Sequence, residues 1–260
     1  MKIVWVLVAL FILANVVDVI SAKRSIVSQS LFNILIAPLN AAIHLSTPSW
    51  LRSKIAKSPI LVPTTALFPS VDRLRNFFPT LQKEAQRAFG ASKPIKNDLF
   101  FQGIADDGWK RFYLKWYGPT DTLGLETCPE TCLLLASMPE VHLAMFSILM
   151  PKSKIQRHFG PAKMCLRYHL GISTPNDPEC RINIGHDTYF WKDGEDVMFD
   201  DTHVHEVTNN TDKPRIILFL DIERPQVGPL AFVGKAGIKY GGPLTTRSNE
   251  TAIGLSNAQA

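Results

Sequence analysis

The sequence predicts a mainly β protein, a sandwich or two-sheet jelly roll with flanking helices, behind an N-terminal membrane helix. Three observations carry this. From Leu99 onward the chain breaks into short β-type runs separated by turn clusters. Ahead of them lies a Pro- and Lys-containing stretch with a helix signal, and ahead of that an apolar segment of membrane length. At 260 residues, 46% hydrophobic and 20% charged, the chain can bury one full-sized core and carry a greasy extra segment.

The apolar segment runs from Ile3 to Ala14 and on through Val16, Val17, Val19 and Ile20, with Asn15 and Asp18 intruding. Two readings fit residues 1–22. As a signal peptide the segment has Lys2, an apolar centre and a small-residue site at Ser21-Ala22. As a retained anchor, the favoured reading, it is followed by Lys23-Arg24, which places the C-terminal domain in the cytoplasm. A second apolar stretch, Leu31 to Leu45, contains Pro38 and Asn40 and reads either as an interfacial segment with Trp50 or as an ordinary core helix. Net charge is +5, with the basic residues gathered at Arg52-Lys54-Lys57 and Lys83-Arg87-Lys93-Lys96. No aromatic nucleic-acid motif interleaves them, so the alternatives are an anionic membrane surface or a solvated basic face.

Residues 23–98 form the basic, membrane-proximal helical region, with a helix expected over Leu81–Phe89 behind Pro79-Thr80. Residues 99–226 form the main domain, and the Gly/Ser/Thr/Asn-rich remainder, 227–260, is expected to be loosely held. Within the domain, Trp109–Tyr117 is strand-forming and ends at Gly118-Pro119, and Cys128–Met138 reads as a short helix. Strands are expected over Ala144–Met150, Met164–Leu170, Cys180–Ile184, Thr188–Trp191, Asp196–Phe199, His203–Thr208 and Arg215–Asp221. Cys128, Cys132, Cys165 and Cys180 lack both a disulfide framework and zinc spacing, and are read as reduced thiols.

The chemistry gathers in His158, Arg167-Tyr168-His169, His205 and Arg215. An arginine ten residues after a histidine, on the next apolar strand, can place a guanidinium beside an imidazole-bound metal. That layout suits a dicarboxylate cosubstrate on iron, because arginine pairs with carboxylates in bidentate fashion. Arg215 sits on an otherwise apolar strand, where an unpaired charge is costly and a bound carboxylate is a natural partner. Arg167 and His169 alternate onto one face of their strand. A facial triad would need a carboxylate ligand, yet none of the seven histidines has an acid two residues on. Asp200 and Asp201, just before His205, read first as turn formers at a strand end.

The sequence resembles the aspartyl/asparaginyl β-hydroxylase family of iron(II)/2-oxoglutarate dioxygenases, and within it the bacterial lipid A acyl-chain 2-hydroxylases. The match is carried by Gly108–Gly118, Ala144–Ser147, Leu166–Gly171, Thr174–Asn176, Trp191–Asp196, Phe199–Asp201, Arg215–Phe219 and Glu223–Pro225, and spans about residues 30 to 226. The resemblance implies a double-stranded β-helix (jelly-roll, cupin-like) core. It also implies that His158 and His205 are the two iron ligands of a site lacking the carboxylate ligand. Arg215 and Ser147 would hold the distal carboxylate of 2-oxoglutarate, Arg167 and His169 its metal-proximal end, and Trp109 would form a pocket wall. The implied cofactors are Fe(II), 2-oxoglutarate and O2, and the implied reaction is hydroxylation of an unactivated C–H.

The leading expectation is thus a membrane-anchored hydroxylase of a lipid acyl chain, with a membrane and no nucleic acid as partner. A second is an Asp/Asn β-hydroxylase acting on a protein in the secretory pathway, where Asn209-Asn-Thr211 and Asn249-Glu-Thr251 would be glycan acceptors. A third is a cupin-like binding protein with a vestigial site.

Overall fold

A computed structural model describes residues 26–94, 108–160 and 162–241. The N-terminal part of this is helical. α1 (Ile26–Ser46) is followed by α2 (Ser49–Lys57), α3 (Val71–Asn76) and α4 (Phe78–Ala91). α4 has a proline in its first turn, where a missing N–H costs nothing. It buries Leu81, Ala85 and Ala88, one stripe at helical spacing. Two short helices follow: α5 (Thr122–Thr127), whose N-cap Asp121 accepts from Gly124 N–H, and α6 (Pro129–Ala136), which is the short helix expected over Cys128–Met138.

The strands are β1 (Ile60–Leu61), β2 (Lys93–Pro94), β3 (Trp109–Trp116), β4 (Val141–Leu149), β5 (Ser153–His158) and β6 (Cys165–Ser173). They continue with β7 (Cys180–Ile184), β8 (Asp187–Phe190), β9 (Asp196–Phe199), β10 (His205–Asn209) and β11 (Arg215–Glu223). A last helix, α7 (Ala231–Ala236), runs into a π-helical turn at Gly237–Gly241.

Seven strands form one antiparallel sheet in the order β1-β9-β6-β11-β4-β3-β2, and four form a second, β5-β10-β7-β8. The alternation of β-strand side chains divides the large sheet into two faces. One face, with Leu166, Tyr168, Leu170, Leu218, Leu220 and Ile222, packs with Leu74, Leu81, Ala85 and Cys132 of the helices in one apolar core. On the other face Trp109, Leu149, Phe199 and Ile217 meet Ile155, Ile182, Ile184 and Val207 of the small sheet in a second core. The chemistry lies between the sheets.

Three expectations need correction. The chain is not mainly β: helix and strand are present in comparable amounts, because residues 26–91 and 122–136 build helices that complete the first core. It is not a closed jelly roll: both sheets are open, with edge strands β1 and β2 on one and β5 and β8 on the other, and no ladder joins them among the described residues. Also among the described residues, no helix is long and apolar enough to cross a membrane. α1 has 21 residues, but Asn33, Pro38, Asn40 and His44 interrupt its apolar run. Nothing in the described residues supports the expected membrane partner or single-span membrane placement; the expected anchor at 1–22 lies outside them. Lys54, Lys57 and Lys83 stand solvent-exposed on α2 and α4.

The glycan reading of Asn209 also fails. Asn209 is 0% exposed, and its side-chain amide donates to the carbonyls of Leu149, Met150 and Lys213. Asn249 lies outside the described residues.

Candidate active site

His158 ends β5 and His205 opens β10, and the two are register partners across the small sheet. Their ring centroids are 4.2 Å apart. In each ring Nδ1 faces a backbone carbonyl two residues earlier: His158 that of Gln156 at 2.6 Å, His205 that of His203 at 2.8 Å. Such a bond fixes the Nδ1–H tautomer and turns the Nε2 lone pair to the job of ligation. Burial, partly offset by Asp201, holds the His205 pKa below its ordinary value and so favours the neutral form that a metal needs.

The loops flanking this pair are tied together. Gly160 N–H donates to Asp201 O at 2.7 Å, and Lys163 Nζ donates to Thr202 Oγ1 at 2.9 Å. Arg224 pairs with the buried Asp200 at 2.8 Å while its Nε donates to Lys163 O at 2.6 Å. Gly160 occupies the position two residues after His158 where a facial triad would carry its acid. A Cβ there would collide with the Asp201 carboxylate, which therefore fills that space. Asp201 in turn accepts from Arg167 Nη2 at 2.6 Å.

On the inner face of the large sheet the other candidates fall in consecutive rows. Arg215 lies opposite Leu149, Ser147 opposite Ile217 and Arg111, His169 opposite Phe219, and Arg167 opposite Asp221. Arg215 is 1% exposed, and its Nη2 donates to Ser147 Oγ at 3.2 Å. Trp109 Nε1 donates to the same oxygen at 2.9 Å, and the Trp191 ring lies 4.5 Å from the guanidinium. Among the described residues no carboxylate pairs with Arg215, and its Nε has no acceptor. Burial lowers its pKa to about 10.

His169 sits between Phe199 and Phe219, with centroids at 5.0 and 5.1 Å, and neither ring nitrogen has a hydrogen-bond partner. Burial first, then the charges of Arg215 and Arg167, depress its pKa strongly, so it is neutral. Arg167 differs. Besides Asp201 it has Nε 3.1 Å from Asp221, and its guanidinium stacks 4.0 Å over Phe219.

The structure thus brings Trp109, Ser147, His169 and Arg215 to one polar stripe, and His158 with His205 to the facing sheet. It commits Arg167 to protein carboxylates. Sequence reasoning gave Asp201 a turn-forming role and missed its pairing with Arg167; it also missed Arg111, buried two residues after Trp109 with its guanidinium 3.7 Å over that ring. Among the described residues no group of three or more His, Cys, Asp and Glu side chains could hold a metal, so the histidines form a pair and not a cluster.

Arg215 beside Ser147 fits a carboxylate ligand, and His158 with His205 offers a pair of imidazoles to a metal ion. An unpaired buried guanidinium costs several kcal/mol, and an unsatisfied imidazole N–H about 1–3 kcal/mol, which a bound carboxylate would offset.

Comparison with known proteins agrees on the class. The family of Aspartyl/Asparaginyl beta-hydroxylase matches residues 74–225, and the chain belongs to it. An ornithine lipid ester-linked acyl 2-hydroxylase of Rhizobium tropici is 30% identical over 194 residues, covering 71% of this chain and 67% of that protein. The human aspartyl/asparaginyl beta-hydroxylase is 31% identical over 126 residues, 46% of this chain but 16% of its own. Human aspartate beta-hydroxylase domain-containing protein 2 is 31% identical over 202 residues, 70% of this chain and 53% of its own. A solved Pseudomonas putida prolyl-4-hydroxylase matches 58% of this chain and 87% of its own, at 15% identity and a TM-score of 0.38, too slight a likeness to build on. The family expectation holds; the narrower likeness to lipid A enzymes gives way to a relative acting on ornithine lipid.

Proposed function

We propose that the chain is an iron(II)- and 2-oxoglutarate-dependent hydroxylase acting on an unactivated C–H of a lipid acyl chain. The observation that carries this reading is Arg215, a buried guanidinium without a carboxylate, on a face that looks toward two preoriented histidines. His158 and His205, each with Nδ1 turned to a backbone carbonyl, would hold the metal. Bound iron(II) supplies the activation of dioxygen that couples decarboxylation of 2-oxoglutarate to substrate oxidation. Arg215, with Ser147 Oγ beside it, holds the distal carboxylate, and Trp109 and Trp191 wall that end. His169 donates its one N–H toward the metal-proximal carboxylate. Arg167 fixes Asp201 behind the histidine pair, a positioning task. Phe199 and Phe219 exclude water around His169.

The acyl-chain substrate is supported by the Rhizobium tropici relative, which matches most of both chains, whereas the human protein hydroxylase matches a small part of its own length. The test is lipid mass spectrometry of cells with and without the protein. One added oxygen on an acyl chain is expected; an unchanged lipid profile, with new hydroxylation on Asp or Asn side chains, would move the reading to a protein substrate.

A further inference from the structure

Outside the site, an open cleft of about 340 Å³ is lined by Lys115, Tyr117, His142, Glu223, Lys235 and Lys239, with Gly118 and Ile238. We propose that this cleft is the subsite for a phosphate-class oxyanion on the substrate, placed at the mouth through which the reacting chain enters. As a substrate subsite it rests on the hydroxylase reading above.

Three observations lead there. The first is charge. Three ammonium groups share the lining with one carboxylate, Glu223, which is 3.2 Å from His142 Nε2 and 3.9 Å from Lys235 Nζ. Lysine is a compact point charge suited to phosphate. Lys115 is half-buried and donates to Val141 O at 2.8 Å; burial lowers its pKa, with Glu140 acting in the opposite sense. An ammonium desolvated in this way gains from an anion.

The second is position. Along β11 the inner face presents Arg215, then Phe219 opposite His169, then Asp221 opposite Arg167, and finally Glu223. The cleft therefore lies at the end of the sheet away from Arg215, with Glu223 roughly 14 Å along the strand from Phe219. A dicarboxylate reaching from Arg215 toward the histidines leaves that end for the substrate.

The third is the wall. Tyr117 adopts φ +41, a left-handed conformation that a bulky residue holds only where its surroundings dictate it. Its ring stacks on His142, the extra residue of a β4 bulge, at 6.5 Å and 7°. Its hydroxyl donates inward to Asp221 at 2.6 Å. One side chain thus lines the cleft and closes the chain of charges Asp221, Arg167 and Asp201 that backs the histidine pair. The volume is that of a small-ligand or head-group pocket.

The experiment is isothermal titration of the full chain at constant ionic strength with inorganic phosphate, a short-chain phosphatidate and the neutral diacylglycerol of the same chains. Saturable binding of phosphate is expected, with tighter binding of the phosphatidate than of either other probe. The double variant Lys235→Glu/Lys239→Glu, at exposed positions, should weaken both anions about tenfold. Absence of saturable phosphate binding, or binding unmoved by the charge reversal, overturns the subsite. Phosphate binding that the phosphatidate does not displace assigns the cleft to free phosphate and overturns its role for substrate. The two readings separate cleanly: if Arg215→Ala leaves 2-oxoglutarate binding intact the hydroxylase reading fails, whatever phosphate does.

Discussion

The two faces of the large sheet are built from alternate residues of the same strands, yet they treat buried polar atoms in opposite ways. Toward the helices, Tyr168 is surrounded by Leu166, Leu170 and Leu220, and its hydroxyl donates to Asp196, itself paired with Arg75 at 2.8 Å. On that side, among the described residues, the Thr131 hydroxyl lacks a partner, but no buried ionisable group of the sheet face does. Toward the small sheet, the next residue, His169, has both nitrogens without a partner, and Arg215 lacks a carboxylate. A sheet that satisfies Tyr168 on one side and leaves both His169 nitrogens and Arg215 Nε without partners on the other has left room for a ligand on the second. On the proposed reading, stability resides on the helix side and binding on the inner side.

The strongest way to break this division is His205→Ala. It should abolish 2-oxoglutarate turnover while leaving the circular dichroism melt near that of the parent; coupled turnover that survives removes His205 as a ligand. The converse is Leu218→Ala in the helix-side core, which should cost about 2–5 kcal/mol in denaturant unfolding. Its apparent 2-oxoglutarate affinity, measured well below the melt, should stay within error of the parent.

Arg215→Ala should weaken 2-oxoglutarate by about 10- to 100-fold, the worth of charge-assisted hydrogen bonds at roughly 1.5–3 kcal/mol. Without cosubstrate the same variant should melt no lower than the parent, since a buried charge without a carboxylate is removed. A lower melt together with unchanged affinity would make Arg215 a structural residue.

The smallest effect concerns the tie behind the histidines. Burial alone would raise the Asp200 pKa, but Arg224 and Lys163 overcome it and lower it to about 2. Its folded value is below its unfolded one, so its contribution is present above about pH 4 and is lost as pH falls toward 2. That contribution is about 2 kcal/mol at neutral pH. Asp200→Asn should flatten this part of the acid unfolding curve, and an unchanged curve would show that Arg224 and Asp200 do not couple.

Much of this was legible in the residues. Cys180–Ile184 and Asp196–Phe199 are strands with the expected bounds, because apolar alternation between turn clusters marks them. β5 was missed although it ends in His158: Ser-Lys-Ile-Gln-Arg-His has one apolar residue, and an edge strand needs no more. The open sheets and the helical share were also missed, since spacing of strands says nothing about which ladders close, and residues 26–91 looked accessory when they supply nine of the 28 buried residues described for the first core. Arg215 could be singled out from its apolar neighbours. The commitment of Arg167 to Asp201 and Asp221 could not, because those partners come from two other strands' ends and meet it only in the fold.

The central claim is tested most directly by incubating the purified protein with iron(II), 2-oxoglutarate, dioxygen and, in separate arms, an ornithine-type acyl lipid and a phosphatidate, following succinate and lipid mass together. The account predicts succinate in step with one oxygen added to the acyl chain, both lost on chelating the iron. Succinate-free incubations with fully metal-loaded, folded protein would contradict it.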